Sequence, residues 1–204
     1  VALEQLTLTQ KRLQKTQLRI TTGLKVNGPK DDAATFQIAT RLRGDIAGTN
    51  AVKGALANGE AVVNVAISGG KAIANLLTEM KAKVVQANQA GLDSASRTAL
   101  QNDFTALRDQ LETIVQTAEF NSTNLISSGA TATSILSTAE GSTIAVSAQP
   151  MAASSLGIAA SDLSTSAGAS TALTAIDSAI TSVADKLAAL GAVAKRIEVQ
   201  TDFT

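Results

Sequence analysis

The sequence predicts a mainly α fold, an elongated antiparallel helical bundle or coiled coil with a small β-hairpin at one end. Three observations lead to it. The 204 residues are 45% apolar but only 2% aromatic, so the apolar content is mostly Ala, Leu, Val and Ile, which suits narrow helices packed close together. Apolar residues in both flanks recur at alternating three- and four-residue spacing, the pattern of a helical seam. All 17 basic residues lie at or before Arg108 or at or after Lys186, while 109–185 holds seven acids. Within that span, 121–169 is poor in charge and rich in Ser, Thr, Ala and Gly, and reads as a separate regime, the tip of the molecule.

Taken in order, 3–22 carries Leu3, Leu6, Leu13 and Ile20 with Gln10 and Gln17 in the same frame, a helix whose incomplete seam predicts that it is poorly held. Pro29 followed by Asp31 and Asp32 marks a helix start, because acids there meet unpaired amide groups and the positive end of the dipole. A long helix is predicted over about 31–88. Ile38, Leu42, Val52, Leu56, Val63, Ile73, Leu77, Met80, Val84 and Ala87 share two positions of one seven-residue frame. Asp45, Thr49, Gly59 and Gly70 fall in the same frame and weaken it, and Gly69-Gly70 predicts a kink or interruption. Gly91 is expected to end the helix.

The next helix, about 94–118 and capped by Asp93 or Ser94, keeps the spacing through Leu100, Phe104, Leu107, Leu111, Ile114 and Ala118. Residues 133–148 alternate around Ile144 and Val146, with Glu140-Gly141 between two β-prone runs, which predicts a hairpin closed by Pro150. The last helix carries Leu173, Ile176, Ile180, Val183, Leu187, Leu190, Ala194 and Ile197 without a gap. Narrow seams must bury against one another, so Leu107, Leu111, Leu187 and Leu190 are expected to face each other across the bundle. The organisation expected is an amino-terminal helical segment 1–24, two long bundle helices in 25–120, the hairpin and low-charge tip in 121–170, and a last bundle helix in 171–204.

Composition bounds the chemistry. Histidine, cysteine, tryptophan and tyrosine are absent, which removes the commonest general base, zinc ligands and thiol nucleophiles. Seventeen bases balance 17 acids, which argues against nucleic acid as a partner. No uninterrupted apolar run of about 18 residues is present for a membrane span. The chain begins at Val1 without a charged and then apolar leader, which is expected of a fragment or processed form.

Ser68-Gly-Gly-Lys71 matches a Ser-x-x-Lys acylation motif, but its companions are missing and an exposed lysine after two helix glycines explains it better. Gly69-Gly70-Lys71 lacks the earlier glycine and following hydroxyl of a phosphate loop. Asn121-Ser122-Thr123, formally a glycosylation sequon, reads as a turn. Arg12, Lys15, Arg19 and Lys25 make the first helix basic without any aromatic stacking partner, as suits a solvated or subunit-facing side. A peripheral membrane helix would need a broader apolar face. No catalytic, cofactor or metal residues are assigned.

"RITTGLKVNGPKDDAATFQIATRLRGDI", 19–46, resembles the amino-terminal signature of bacterial flagellins, Arg-Leu-Ser-Ser-Gly-Leu-Arg-Ile-Asn followed by Lys-Asp-Asp-Ala-Ala and an Ile-Ala helix. The resemblance continues through "LLTEMKAKVVQANQAG", "LQNDFTALRDQLETIVQTAEFNSTNLI" and "LAALGAVAKRIE". It implies a filament subunit, secreted to the extracellular flagellum, that packs with other flagellin subunits and meets export chaperone and cap proteins through its termini. Arg19, Gly23, Asn27, Asp31, Asp32 and Arg41 would carry the signature and subunit packing. The hook-filament junction protein of the same superfamily would have a proline after the aspartates, where this chain has Ala33-Ala34. The resemblance also implies that 1–24 belongs to a terminal coiled-coil region and its connecting spoke, that the variable outer domains are absent, and that the chain is truncated at both ends. Receptor-recognised flagellins carry Leu-Gln-Arg-Val-Arg-Glu-Leu where this chain has Leu77-Thr78-Glu79-Met80-Lys81-Ala82-Lys83, so the altered Glu79 and Lys83 imply weak or no engagement of the innate flagellin receptor.

Overall fold

A computed structural model describes residues 1–204, with the order α1 (Ala2–Thr22), α2 (Ala33–Ala87), α3 (Ser94–Thr117), β1 (Thr133–Leu136), β2 (Thr143–Val146) and α4 (Ser166–Phe203). Two compact units divide it, Val1–Ala51 and Val52–Thr204, and their boundary falls inside α2.

The second unit is an antiparallel helical bundle. Its buried stripe on α2 is Val52, Leu56, Gly59, Val63, Ala66, Gly70, Ile73, Leu77, Met80, Val84 and Ala87, an unbroken alternation of four and three. The pair Gly69-Gly70 does not interrupt the helix as expected. Small residues are needed there. A Cβ on Gly70 would lie 2.8 Å from Leu187 Cδ2 in α4, and one on Gly69 would lie 3.1 Å from the Ala118 methyl just past α3. Close packing outweighs about 1 kcal/mol of lost helix propensity per glycine. Gly91 does not end α2 directly either: the helix stops at Ala87, and the Arg97 guanidinium reaches back to the carbonyls of Ala87 and Gln89. Gly91, at φ +85°, serves the turn that follows.

Directions follow from the cross-helix contacts. Lys83 pairs with Asp103 and Gly69 approaches Ala118, so α2 and α3 run opposite ways. Lys81 pairs with Asp177 and Gly70 approaches Leu187, so α2 and α4 do too. Asp93 caps α3 by accepting from Ser96 N–H at 2.6 Å, and Thr165 caps α4 by accepting from Gly168 N–H at 3.0 Å. On α3 the buried residues are Phe104, Leu111 and Val115; on α4 they include Ile176, Val183, Leu190 and Ile197. Of the four leucines expected to meet, Leu111 and Leu190 are buried, while Leu107 and Leu187 are half-buried.

The hairpin pairs Ile135 with Ile144 in antiparallel register and turns at Gly141, φ +98°. Asn121 and Ser122 both take left-handed φ, 49° and 59°, inside a turn closed by reciprocal Phe120–Thr123 hydrogen bonds, so the sequon is a turn.

The low-charge stretch is not simply a tip. Met151, Ala152, Ala153, Leu156, Ile158 and Leu163 are buried, and three α3 side chains hold this strap along the bundle. Glu112 accepts from Ala153 N–H at 2.7 Å, Arg108 donates to the Ala159 carbonyl at 3.0 Å, and Gln101 accepts from Leu163 N–H at 2.6 Å. Scarcity of charge here reflects burial in the core. An 18-residue window of α2 reaches a mean hydropathy of 1.3, so average composition alone would let it span a bilayer even though no unbroken apolar run exists. Its most apolar face is the stripe packed inside the second unit.

Candidate assembly surface

The signature residues lie in the first unit. Gly23, at φ 68°, closes α1 by donating its N–H to the Arg19 carbonyl at 2.9 Å, a left-handed cap that glycine adopts without steric cost. The chain then turns. Asn27 N–H donates to Asp31 Oδ2 at 3.3 Å, Asp31 N–H donates to the Gly28 carbonyl at 3.1 Å, and Lys15 Nζ of α1 reaches Asp31 Oδ1 at 2.9 Å. Lys15, then the Asn27 amide, hold the Asp31 carboxyl below the usual aspartate range. Asp32 starts α2 by accepting from Thr35 N–H at 3.1 Å and from the Thr35 hydroxyl at 2.6 Å, and the same contacts lower its carboxyl. Both aspartates therefore build the turn. Arg41 lies exposed on α2 and makes no ion pair.

No local signal in the sequence marks Lys15 as part of this group. It sits 16 positions before its partner Asp31, beyond any helical spacing rule.

Apolar stripes are part of what is left open. No residue of α1 is buried, and Leu3, Leu6, Leu13 and Ile20 are all exposed. On α2, Ile38 is 60% and Leu42 54% exposed, whereas Val52 and Leu56 in the same frame are 1% and 0% exposed. The expectation that Ile38 and Leu42 join the bundle seam fails within this chain, because nothing in it covers them.

The Ser-x-x-Lys match lies within α2. Ser68 Oγ donates to the Asn64 carbonyl one turn earlier at 2.8 Å, so its proton is engaged by its own helix. Glu79 is exposed and unpaired. The Lys83 ammonium donates to Asp103 Oδ2 at 2.7 Å, so it is paired rather than simply hydrated.

Comparison with known proteins supplies the family. A family model described as the bacterial flagellin N-terminal helical region matches residues 1–131. Flagellin FljM of Caulobacter vibrioides is 34% identical over 157 residues, covering 77% of this chain and 58% of that protein. Flagellin A of Rhizobium meliloti is 39% identical over 112 residues, 55% of this chain and 28% of the relative. The chain thus spans little more than half the length of the Caulobacter protein. Among solved structures, Bacillus cereus flagellin superposes with a TM-score of 0.66 at 22% identity, over 73% of this chain and 87% of that one. A flagellar hook-associated protein from Vibrio parahaemolyticus gives 0.68 at 15% identity, over 86% and 93%. These two likenesses establish a shared fold.

Proposed function

Because this chain belongs to the bacterial flagellin family, a family of structural proteins, we propose that it is the inner portion of a flagellar filament subunit, exported from the cell and polymerised through the apolar stripes of its first unit. The observation that carries this reading is the change of fate along one helix. One seven-residue frame runs the length of α2, through Asp45 and Thr49, yet Ile38 and Leu42 on it are exposed while everything from Val52 onward on that frame is buried. Exposed apolar stripes of this kind mark protein–protein contacts. Arg19 and Arg41 would add charged contacts at their edges, while Gly23, Asn27, Asp31 and Asp32 set the angle between α1 and α2.

The junction-protein alternative shares the fold but not the sequence evidence: the family model and the curated relatives are flagellins, and Ala33-Ala34 stands where a proline would be expected. Export chaperone and cap proteins are the further partners proposed for the termini. Weak or absent engagement of the innate flagellin receptor is proposed from Glu79 and Lys83.

Polymerisation of the whole protein tests the reading. With Leu13→Glu and Leu42→Glu introduced together, filaments should no longer sediment, while the thermal unfolding of the bundle stays unchanged. Normal filaments from that variant would overturn it.

A further inference from the structure

We propose that Asn27 is a site of spontaneous deamidation, and that it ages selectively over the other Asn-Gly pair of the chain because of where the fold places the two. Only two asparagines precede a glycine, Asn27-Gly28 and Asn58-Gly59. The reaction needs the backbone nitrogen of the glycine to reach the asparagine side-chain carbon, which a missing Cβ permits and a rigid helix forbids.

The two sites differ in backbone freedom rather than in access to water, which is greater at the Asn58 side chain. Asn27 and Gly28 lie outside helix and strand, both half-buried, and the Gly28 N–H donates to no protein acceptor. The Asn27 side-chain amide is likewise free of hydrogen bonds. Beyond its two chain neighbours, no atom lies within 4 Å of where a Gly28 Cβ would stand, so nothing packs against the peptide on that side. Asn58-Gly59 is inside α2, with Gly59 buried against Ile135 at a distance that would place a Cβ 2.3 Å from Ile135 Cδ1. Its amide is committed to the helix and cannot swing toward the side chain.

The chemistry balances with water alone. Gly28 nitrogen attacks Asn27 Cγ, the bond from Cγ to the side-chain nitrogen breaks, and ammonia leaves carrying the Gly28 amide proton. Water then opens the five-membered imide at either carbonyl, leaving aspartate or isoaspartate at position 27. Either product adds a carboxylate beside Asp31, which already accepts from the Asn27 N–H and from Lys15. Isoaspartate also lengthens the backbone by one carbon inside the turn that joins α1 to α2.

The test is peptide mapping by mass spectrometry of the full-length protein aged at mildly alkaline pH and raised temperature. Conversion at Asn27 should exceed that at Asn58 by at least about tenfold, the ratio given by roughly 1.4 kcal/mol of barrier. Gly28→Ala, which the open space accommodates without a left-handed φ, should slow conversion at Asn27 by a similar factor with circular dichroism unchanged. Equal rates at the two asparagines, no conversion at Asn27, or no effect of Gly28→Ala would overturn the proposal.

Discussion

Gly59 of α2 and Ile135 of β1 meet so closely that a Cβ on the glycine would fall 2.3, 2.7 and 2.9 Å from three atoms of the isoleucine side chain. Relieving one of those contacts leaves the others. The hairpin is therefore seated on a notch in the α2 seam, and the notch exists only because the residue is glycine.

Gly59→Ala should destabilise the protein by about 1–3 kcal/mol through overpacking, despite the gain in helix propensity. Gly54→Ala, five residues earlier and exposed with open space at the Cβ, should instead stabilise it by about 0.5–1 kcal/mol. Urea denaturation of both variants checks the pair. Equal shifts of the same sign would show that the notch is not filled.

Leu111→Ala should cost about 2–5 kcal/mol, because the side chain is wholly buried and leaves a cavity. Leu187→Ala should cost less, about 1–2 kcal/mol, since that side chain is half-buried. Leu13→Ala should stay within about 0.5 kcal/mol in the isolated chain because Leu13 is exposed. Thermal melts rank the three, and any other order would contradict the burial described.

Asp93 carries a prediction about acid. Its carboxylate accepts the Ser96 amide, which lowers its folded pKa below the unfolded value of about 3.9. The unfolded chain then binds more protons between those two values, so the contribution is complete above the ordinary pKa and is lost as pH falls through the folded one. Asp32 and Asp162 share the same sign from their own capping and turn contacts. Asp93→Asn keeps a capping oxygen but removes the titration, and should flatten the loss of stability on acidification. A denaturation midpoint that falls as steeply with pH in the variant would count against this.

At the receptor-equivalent positions, Glu79→Arg with Lys83→Leu should increase binding to the innate flagellin receptor if those residues are the obstacle. Breaking the Lys83–Asp103 pair should matter little to stability, since both partners are partly exposed. Surface plasmon resonance with the unaltered chain is expected to give affinity weaker than nanomolar, about −12 kcal/mol. Nanomolar binding by the unaltered chain would refute the assignment of those positions.

Helices, hairpin and caps were legible in the amino-acid order because their causes are local. Apolar spacing of three and four residues specifies a helix face whatever lies opposite it. Asp93, Asp32 and Gly141 act on backbone groups within a few residues of themselves. The flagellin signature was legible for the same reason, as a contiguous run at 19–46.

What only the tertiary structure decided depends on residues far apart in the chain. Gly59 and Gly70 look like helix breakers by propensity, and they are seam positions because Ile135 and Leu187 arrive from elsewhere to fill the space. Residues 151–163 look like part of a tip by composition, yet Met151, Ala152, Ala153, Leu156, Ile158 and Leu163 are core, with Gln101, Arg108 and Glu112 holding the backbone of this stretch against α3. Leu42 and Leu56 share one frame, but one is 54% exposed and the other fully buried. Periodicity is a property of the helix carrying the residue, whereas burial is a property of whatever packs against it, and only the folded chain supplies the second.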